Sequence, residues 1–301
     1  MKLSIIITTR NRKNDLLECV NSIKRSKLLN FDWELIVVDD NSNDGTEKIK
    51  IEGLEIENGL VVHNETQQMM VKSRNIGVKN STGKYILFID DDNIIDEDMI
   101  KKLVDFADNN EKYGIVGPSM YYLKERKKYL DYQKINFFTG KTSGVIDNSN
   151  GKICKSDGIP NVFLIRREVF KKCGLFDESL IQTFTEPDFA FNAKRFGYKC
   201  GIIKEAKTYH NVGSGLSDRC LGGEFKQKAY CLMRNRSLII ARYGKIYHKI
   251  IYIIFFSWFW PLLYSFLILR EKRIDLVKLY WLGFKDGFIY FFTGKLNNSL
   301  V

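Results

Sequence analysis

Acidic residues follow directly on two short apolar runs in the first hundred positions, and this pattern constrains the fold more than any other feature of the chain. The run 35–38 ends in two aspartates and the run 85–89 in three. Short runs rich in β-branched residues are typical of strands buried on both faces, and helical patterns separate them here. The alternation predicts a parallel or mixed α/β sheet. Since such sheets bind ligands beyond the carboxyl ends of their strands, the acids mark a candidate site.

The remaining apolar patterns complete this prediction. We expect strands at 3–7, 35–38, 61–62, 85–89, 115–116 and 161–165, and helices from residue 14 onward and over 68–78, 100–107, 168–173 and 187–196. Asn14 is expected to cap the first helix, and Pro187 to open the last one at its first position. Residues 119–160 are less regular, which is typical of an insertion or a substrate-side loop.

Composition and charge exclude several classes of protein. Hydrophobic residues make up 45% and charged residues 28% of the 301 positions, so the chain is neither disordered nor collagen-like. Six cysteines include no C-x-x-C pair, which argues against a zinc site or a disulfide framework and favours a reduced, cytosolic chain. The net charge of +11 suits phosphate groups. The basic run 124–128 has no accompanying aromatic stacking motif, so we interpret it as a solvated or membrane-facing surface and expect no nucleic-acid partner.

The C-terminal segment differs in kind from the rest. Residues 250–269 carry no charge, and twenty helical residues span about 30 Å, the thickness of a bilayer's hydrocarbon core. Basic residues flank the run on both sides, and the aromatic, partly charged segment 274–292 is typical of a membrane interface. Pro261 lies inside the run, where it favours a kinked or re-entrant pair of helices. The alternative is a buried helix hairpin of a soluble protein.

We therefore expect two domains, a folded domain over 1–245 and a membrane-associated helical segment over 246–301. Such a segment would hold the folded domain against the cytoplasmic face of the cell membrane.

The three aspartates after the run 85–89 suit a divalent cation. In an extended chain Asp90 and Asp92 point to one side and Asp91 to the other. Sites of the magnesium type combine one or two carboxylates with oxygens of a substrate phosphate. The alternative is a solvated acidic turn that caps the following helix.

Two further polar stretches lie where strands are expected to end. The carboxylates of Asp39 and Asp40 can accept hydrogen bonds from a base or a ribose, or instead form an Asx-turn. The stretch 8–12, T-T-R-N-R, offers hydroxyl groups and guanidinium groups to a phosphate, or is a solvated loop.

Taken together, these motifs resemble the family 2 glycosyltransferases of the GT-A fold. The resemblance is carried by S-I-I-I-T-T-R-N-R at 4–12, V-V-D-D-N-S at 37–42, S-R-N-I-G at 73–77 and G-K-Y-I-L-F-I-D-D-D-N at 83–93. It continues through 164–167, 174–178, 186–188 and 197–199, and spans about residues 3–215 in one consistent order. The expected fold is thus GT-A, a mixed sheet flanked by helices, followed by C-terminal hydrophobic helices.

The resemblance implies a binding site for a nucleoside diphosphate sugar, most often a UDP-sugar, with Mn²⁺ or Mg²⁺. The resemblance implies that Thr8 and Arg10 line the nucleotide pocket, that Asp40 contacts the nucleotide base, and that Arg74 contacts the ribose or a phosphate. It also implies that Asp90 and Asp91 contact the ribose or the sugar and that Asp92 binds the metal. His210 is either a structural histidine or, as in many relatives, a group near the metal or the diphosphate.

The catalytic base is implied by the same resemblance. An inverting enzyme needs one general base for the acceptor hydroxyl. Thr185 stands where the family usually has glutamate, and Glu186 falls where its aspartate lies. Glu186 is therefore the predicted base, and Asp188 a reserve that contacts acceptor or donor sugar. The alternative for Glu186 is a helix-capping acid.

The predicted activity is transfer of a sugar to a lipid-linked or glycan acceptor at the membrane. A sugar nucleotidyltransferase shares the sheet but normally has a glycine-rich turn after the first strand, and residues 8–14 contain no glycine. A dinucleotide oxidoreductase is excluded by the same absence. A membrane-tethered pseudoenzyme that binds nucleotide sugars is the remaining alternative.

Overall fold

The computed structural model describes residues 2–27, 32–212, 221–222 and 226–299. Contacts divide the chain into two compact units. The first unit comprises residues 1–134, 144–176 and 189–213, and the second comprises 135–143, 177–188 and 214–301. The domain boundary expected at residue 245 stays a prediction.

Twelve strands are present in the described residues. They are β1 (Leu3–Thr9), β2 (Trp33–Asp39), β3 (Gly59–His63), β4 (Tyr85–Asp90), β5 (Asn93–Ile95), β6 (Tyr113–Tyr122), β7 (Lys128–Leu130), β8 (Tyr132–Asn136), β9 (Lys141–Val145), β10 (Ile153–Lys155), β11 (Val162–Arg166) and β12 (Lys199–His210). Ten of them form one mixed sheet in the order β10-β12-β6-β11-β4-β1-β2-β3, with β5 on β12 and β7 on β6. Strands β8 and β9 pair with each other.

Nine α-helices are present in the same residues. They are α1 (Lys13–Lys24), α2 (Met69–Lys79), α3 (Met99–Asn109), α4 (Arg167–Cys173), α5 (Thr185–Arg195), α6 (Lys226–Tyr243), α7 (Ile246–Ile251), α8 (Phe259–Arg270) and α9 (Ile274–Thr293). The mixed α/β architecture predicted from the apolar runs is thereby confirmed.

The apolar runs are strands because helices cover both faces of the sheet. Along β1, Ile5 and Ile7 face a cluster with residues of α1 and α3, whereas Ile6 faces a second cluster with residues of α2 and α4. All three isoleucines are buried. Burial of successive residues on opposite faces requires the continuous apolar run that the sequence shows.

Parallel pairing brings the polar strand ends to one edge of the sheet. Strand β1 lies between β2 and β4, parallel to both. Thr9 is opposite Asp39, and Thr8 is opposite Asp90. The sheet therefore places the threonines and both groups of aspartates together, as the sequence predicts.

Several local expectations were wrong. Helix α1 begins one residue before Asn14, and Asp44 accepts the N–H of Lys13 at 3.0 Å. Helix α5 begins at Thr185, so Pro187 is its third residue; the N–H groups of the first turn have no partner within a helix, and a proline is tolerated there. The segment 119–160 contains four short strands, because their half-exposed, mixed sequences do not form the apolar runs that predict strands.

In the second unit, α6 packs closely against α9. A Cβ atom added at Gly283 would overlap the carbonyl oxygen of Tyr230, and one at Gly287 would lie 2.9 Å from Cβ of Ser237. Two glycines four residues apart therefore allow the two backbones to approach.

The uncharged run 250–269 is divided between helices. A π-helical turn over Tyr252–Phe256 follows α7, and α8 begins three residues later. Pro261 lies in the first turn of α8, so the break precedes it. Among the described residues we find no single helix long and apolar enough to cross a membrane; Ile246–Phe256 and Phe259–Arg270, bent by 41°, meet that criterion only as a pair.

Candidate active site

The candidate site in the first unit is built around Asp92 and His210. Strand β12 runs antiparallel to β5, with His210 opposite Asn93, so the histidine arrives beside the aspartates. Its Nε2 lies 3.3 Å from Oδ1 of Asp92, and both side chains are largely buried. The backbone N–H of Asn211 donates to the carbonyl oxygen of Asp92 at 2.8 Å. The structure thus brings together the two residues predicted to bind a metal.

Two residues that sequence reasoning missed orient His210. The hydroxyl oxygen of Tyr129 lies 2.9 Å from Nδ1, and Nδ2 of Asn161 lies 3.1 Å from each ring nitrogen. For Nε2 to offer a lone pair to a cation, Nδ1 must carry the proton, and Tyr129 is placed to accept it. Nothing in the local sequence around either residue signals this contact.

The donor atoms of Asp92 and His210 fit a divalent cation. Two ligands on one Mg²⁺ or Mn²⁺ lie about 3 Å apart, which is close to the observed 3.3 Å. No group of three or more His, Cys, Asp or Glu residues suited to a metal occurs in the described part of the chain. The chain therefore offers a partial coordination shell of the kind that substrate phosphates and water complete.

The side chain of Arg12 contacts both Asp91 and Asp92. Its Nη1 is 3.1 Å from Oδ1 of Asp91 and 3.1 Å from Oδ2 of Asp92. Asp91 also accepts a hydrogen bond from Thr9 at 2.7 Å. Burial raises the pKa of Asp91 to about 7, the Arg12 guanidinium opposes this rise, and the charge of Asp92 adds to it. Burial thus disfavours the ionised form of Asp91, and a nearby cation would favour it.

Asp90 and Arg74, both predicted to contact the donor, form an ion pair. Nη2 of Arg74 lies 2.7 Å from Oδ1 of Asp90, and the arginine is only 2% exposed. The guanidinium stacks 5.2 Å from the ring centre of Phe163. Arg74, a residue of α2, therefore holds the side chain of Asp90 in place.

Asp40 anchors the start of α2. Its carboxylate accepts the backbone N–H groups of Gln68 and Met69 at 2.7 and 2.9 Å, and Nδ2 of Asn64 at 3.0 Å. A carboxylate stabilises the positive end of a helix at this position. The predicted contact between Asp40 and a nucleotide base stays a prediction.

Thr8 and Arg10 are half-buried at the end of β1, next to the aspartates. Nε of Arg10 is buried and has no hydrogen-bond partner among the described residues. The structure thus places both residues at the predicted edge.

The two candidate bases lie at the start of α5 and belong to the second unit. Glu186 is half-buried, and its Oε2 accepts a hydrogen bond from the Thr185 hydroxyl at 2.9 Å. Asp188 is buried, with its Oδ1 2.9 Å from Nη1 of Arg242 and 3.0 Å from the Tyr243 hydroxyl. Burial raises the pKa of Asp188, and the ion pair opposes the rise. Both candidate bases thus have partners, and the assignment of Glu186 as the base stays a prediction.

Comparison with known proteins agrees with this geometry. The model of the family described as Glycosyl transferase family 2 matches residues 4–174, more than half of the chain. Poly(ribitol-phosphate) beta-N-acetylglucosaminyltransferase TarP of Staphylococcus aureus (strain N315) is 29% identical over 125 residues, 38% of this chain and 38% of that protein. The uncharacterized glycosyltransferase EpsJ of Bacillus subtilis (strain 168) is 28% identical over 217 residues, 71% of this chain and 59% of that protein.

Solved structures share the fold. The crystal structure of S. aureus TarS 1-349 in complex with UDP-GlcNAc has a TM-score of 0.57 at 19% identity, over 83% of this chain and 70% of that chain. The structure of GalNAc-T7 with UDP, GalNAc and Mn²⁺ has a TM-score of 0.67 at 17% identity, over 84% and 50%. The mixed sheet with flanking helices is therefore consistent with GT-A. The chain spans less than two thirds of the length of the two curated relatives above.

Proposed function

Since this chain belongs to glycosyl transferase family 2, we propose that it transfers a sugar from a nucleoside diphosphate sugar to a hydroxyl group of a lipid-linked or glycan acceptor, with inversion of the anomeric centre. The observation that carries the proposal is the pairing of Asp92 with His210 at the edge of the sheet, beside Asp90 and Asp91. A cation held by a carboxylate can also bind the anionic diphosphate of the donor.

The donor is proposed to be a UDP-sugar. The structures of TarS with UDP-GlcNAc and of GalNAc-T7 with UDP, which share the fold, support this choice. In this chain Thr8 and Arg10 would line the nucleotide pocket, with Arg10 donating to a phosphate. Asp40 would contact the base, Arg74 the ribose or phosphate, and Asp90 and Asp91 the ribose or sugar.

Asp92 and His210 would hold Mn²⁺ or Mg²⁺. The bound cation supplies neutralisation of the charge that develops on the departing diphosphate. Arg12 holds the second carboxylate oxygen of Asp92, and Tyr129 would accept the proton of His210 at Nδ1, which would leave the lone pair of Nε2 for the cation.

Glu186 is proposed as the general base. The acceptor oxygen forms a bond to the anomeric carbon while the bond from that carbon to the diphosphate oxygen breaks, and the acceptor proton passes to Glu186. Glu186 lies in the first turn of α5. Asp188, held by Arg242, would be the reserve that contacts the acceptor or the donor sugar.

A membrane surface is the proposed location of the acceptor. Exposed apolar side chains recur at nearly every fourth residue from α7 to α8, and we call this set the apolar stripe: Ile250, Ile254, Trp258, Leu262, Phe266 and Leu269. Lys245 and Lys249 precede it, and Arg270 and Lys272 follow it. An apolar face bordered by cations suits the interface of a bilayer with anionic headgroups. We propose that the stripe holds the protein at the cytoplasmic face of the cell membrane.

The experiment is a donor assay with two matched pairs of variants. Release of UDP from UDP-GlcNAc and other UDP-sugars is measured with Mn²⁺ or with chelator, and donor binding by calorimetry. Asp92→Asn is expected to weaken binding and abolish turnover, with Asp96→Asn as control. Glu186→Gln is expected to retain binding and lose turnover by about 10²-fold or more, with Glu168→Gln, in the first turn of α4, as control.

Other outcomes select the alternatives. Donor binding by the wild-type chain without turnover of any donor would favour a pseudoenzyme. Formation of a UDP-sugar from UTP and a sugar phosphate, with release of pyrophosphate, would favour a nucleotidyltransferase.

A further inference from the structure

The segment that leads to Glu186 has an unusual backbone. Ile181, Thr183 and Phe184 have φ angles of 61°, 64° and 59°. Positive φ is uncommon for any residue other than glycine and is a genuine outlier for β-branched residues. Such conformations persist only where the surrounding structure holds them, and they cluster at functional sites. Three within four residues therefore require an external support.

Helix α6 provides this support at the middle of the segment. The side chain of Asn235 is fully buried, and its Nδ2 lies 2.8, 2.8 and 3.1 Å from the carbonyl oxygens of Leu180, Gln182 and Thr183. One amide group thus gathers three carbonyl oxygens of the strained backbone. Because an unpaired buried carbonyl group is costly, removal of this amide would destabilise the strained conformation of the segment.

The same helix holds both ends of the segment. Arg242 lies two turns after Asn235, on the same side of α6. Its Nη2 is 2.8 Å from Oδ2 of Asp177, and its Nη1 is 2.9 Å from Oδ1 of Asp188. The Tyr243 hydroxyl is 3.0 Å from the carbonyl oxygen of Asp188. One planar guanidinium therefore bridges the first and last residues of the segment 177–188.

We propose that Asn235, Arg242 and Tyr243, together the α6 clamp, are positioning residues that fix Glu186 for proton abstraction. The inference rests on the proposed function, in which Glu186 is the base. Glu186 lies two residues after the last strained position and two before the clamped Asp188. A general base must lie within hydrogen-bond reach of its proton, and a displacement of 1 Å lowers turnover by about 10²-fold.

The test compares two asparagines that donate to backbone carbonyls. Asn235→Ala is expected to lower kcat at least tenfold and to change the KM for the donor less than threefold. Asn192→Ala, which removes a single 3.1 Å bond to the Cys173 carbonyl from α5, is the control and is expected to retain kcat. Arg242→Lys keeps the charge but cannot bridge two carboxylates, so it is expected to act in the same direction and serves if Asn235→Ala does not fold.

Amide hydrogen exchange over residues 177–188 provides a readout that needs no turnover. Exchange there is expected to be at least tenfold faster in Asn235→Ala than in the wild-type chain, and unchanged in Asn192→Ala. Unchanged exchange, or faster exchange with unchanged kcat, would overturn the clamp. If the wild-type chain turns over no donor, the proposed function is overturned instead. The two failures are distinguishable, because the difference in hydrogen exchange between Asn235→Ala and the wild-type chain would remain.

Discussion

The carboxylates at the edge of the sheet differ in the groups that they contact, although Arg12 contacts both Asp91 and Asp92. Backbone N–H groups hold Asp40, Arg74 holds Asp90, and Thr9 and Arg12 hold Asp91. Asp92 faces the ring of a histidine. Nε2 of His210 lies 3.3 Å from Oδ1 of Asp92, and an imidazole nitrogen and a carboxylate oxygen can both donate a lone pair to a cation.

The hydroxyl of Tyr129 tests this interpretation. Replacing Tyr129 by Phe removes the hydroxyl group that lies 2.9 Å from Nδ1 of His210 and that would accept a proton there, so Nε2 is expected to be a weaker ligand. We expect Mn²⁺-dependent binding of UDP to weaken by about tenfold or more, measured by calorimetry. Tyr209→Phe, at the neighbouring position of β12, should bind as the wild-type chain does. Equal binding by the wild-type chain with Mn²⁺ and with chelator would contradict a metal at Asp92 and His210.

Asp108 predicts a pH dependence of stability. Burial acts to raise the pKa of Asp108, but hydrogen bonds from Lys2, Tyr85 and Lys84 outweigh it and lower the pKa below its usual range. Because the folded chain binds this proton less tightly than the unfolded chain, the stabilisation is complete above about pH 4 and is lost as the pH falls further.

The corresponding variant is Asp108→Asn. We expect it to lose roughly 1 kcal/mol of the free energy of unfolding at pH 7 and to differ less from the wild-type chain at pH 3, by urea titration. Asp105→Asn, in the same helix and paired with Lys101, controls for loss of a carboxylate. A constant difference between Asp108→Asn and the wild-type chain from pH 7 to pH 3 would count against the ion pairs.

At the scale of elements, helix α6 both packs against α9 and carries the three residues of the α6 clamp. The strained residues cost on the order of 1–3 kcal/mol each, so the clamp can hold them only from a rigid helix. We expect the close contact with the glycines of α9 to keep α6 rigid.

Gly283→Ala tests this packing. The added methyl group would overlap the carbonyl oxygen of Tyr230, so the helices must separate. We expect a loss of roughly 1–3 kcal/mol in the free energy of unfolding, measured with urea. A methyl group at Gly53 meets nothing within 4 Å, so Gly53→Ala should change stability little. Similar stability of the two variants would show that α9 does not approach α6 this closely.

At the scale of the whole molecule, the apolar stripe predicts binding to lipid. Phe266 in the stripe is 62% exposed, Phe255 next to the stripe residue Ile254 is 58% exposed, and Phe196 of the first unit is 52% exposed. Replacing Phe255 and Phe266 together by Ser should reduce sedimentation with vesicles of phosphatidylglycerol by at least tenfold, since each buried phenyl ring contributes about 1.5–3 kcal/mol. Phe196→Ser is the matched control.

Salt and oligomeric state complete this test. Binding should weaken at high salt, because the cations around the stripe are then screened. Failure of the wild-type chain to sediment with the vesicles would contradict a membrane surface as partner. A dimer in light scattering that the double variant dissociates would assign the stripe to a second copy of the chain.

The strands near the site could be predicted because their signal is local. Burial on both faces demands an apolar residue at every position, so runs such as 85–89 are visible without any knowledge of the fold. Strands exposed on one side, such as β8 and β9, show no such run. The π-helical turn and the break before α8 likewise have no local signal, and the uncharged run was expected to be continuous or to break at Pro261.

The partners of the site residues could not be predicted for a different reason. Asp40 and Asp92 both follow apolar runs, and neither sequence context distinguishes a helix-anchoring carboxylate from one that faces a histidine. Tyr129 and Asn161 come from strands and loops far from both aspartates in the chain. Only the order of strands in the sheet brings them together.

The sequence by itself determined that a mixed α/β sheet forms and that its acids gather at one edge, because hydrophobic periodicity and parallel pairing need only local information. Tertiary structure decided which acid caps a helix, which pairs with arginine and which faces His210, and that α6 supports the segment before Glu186. Those choices depend on contacts between residues distant in the chain, and such contacts leave no trace in the pattern of any one segment.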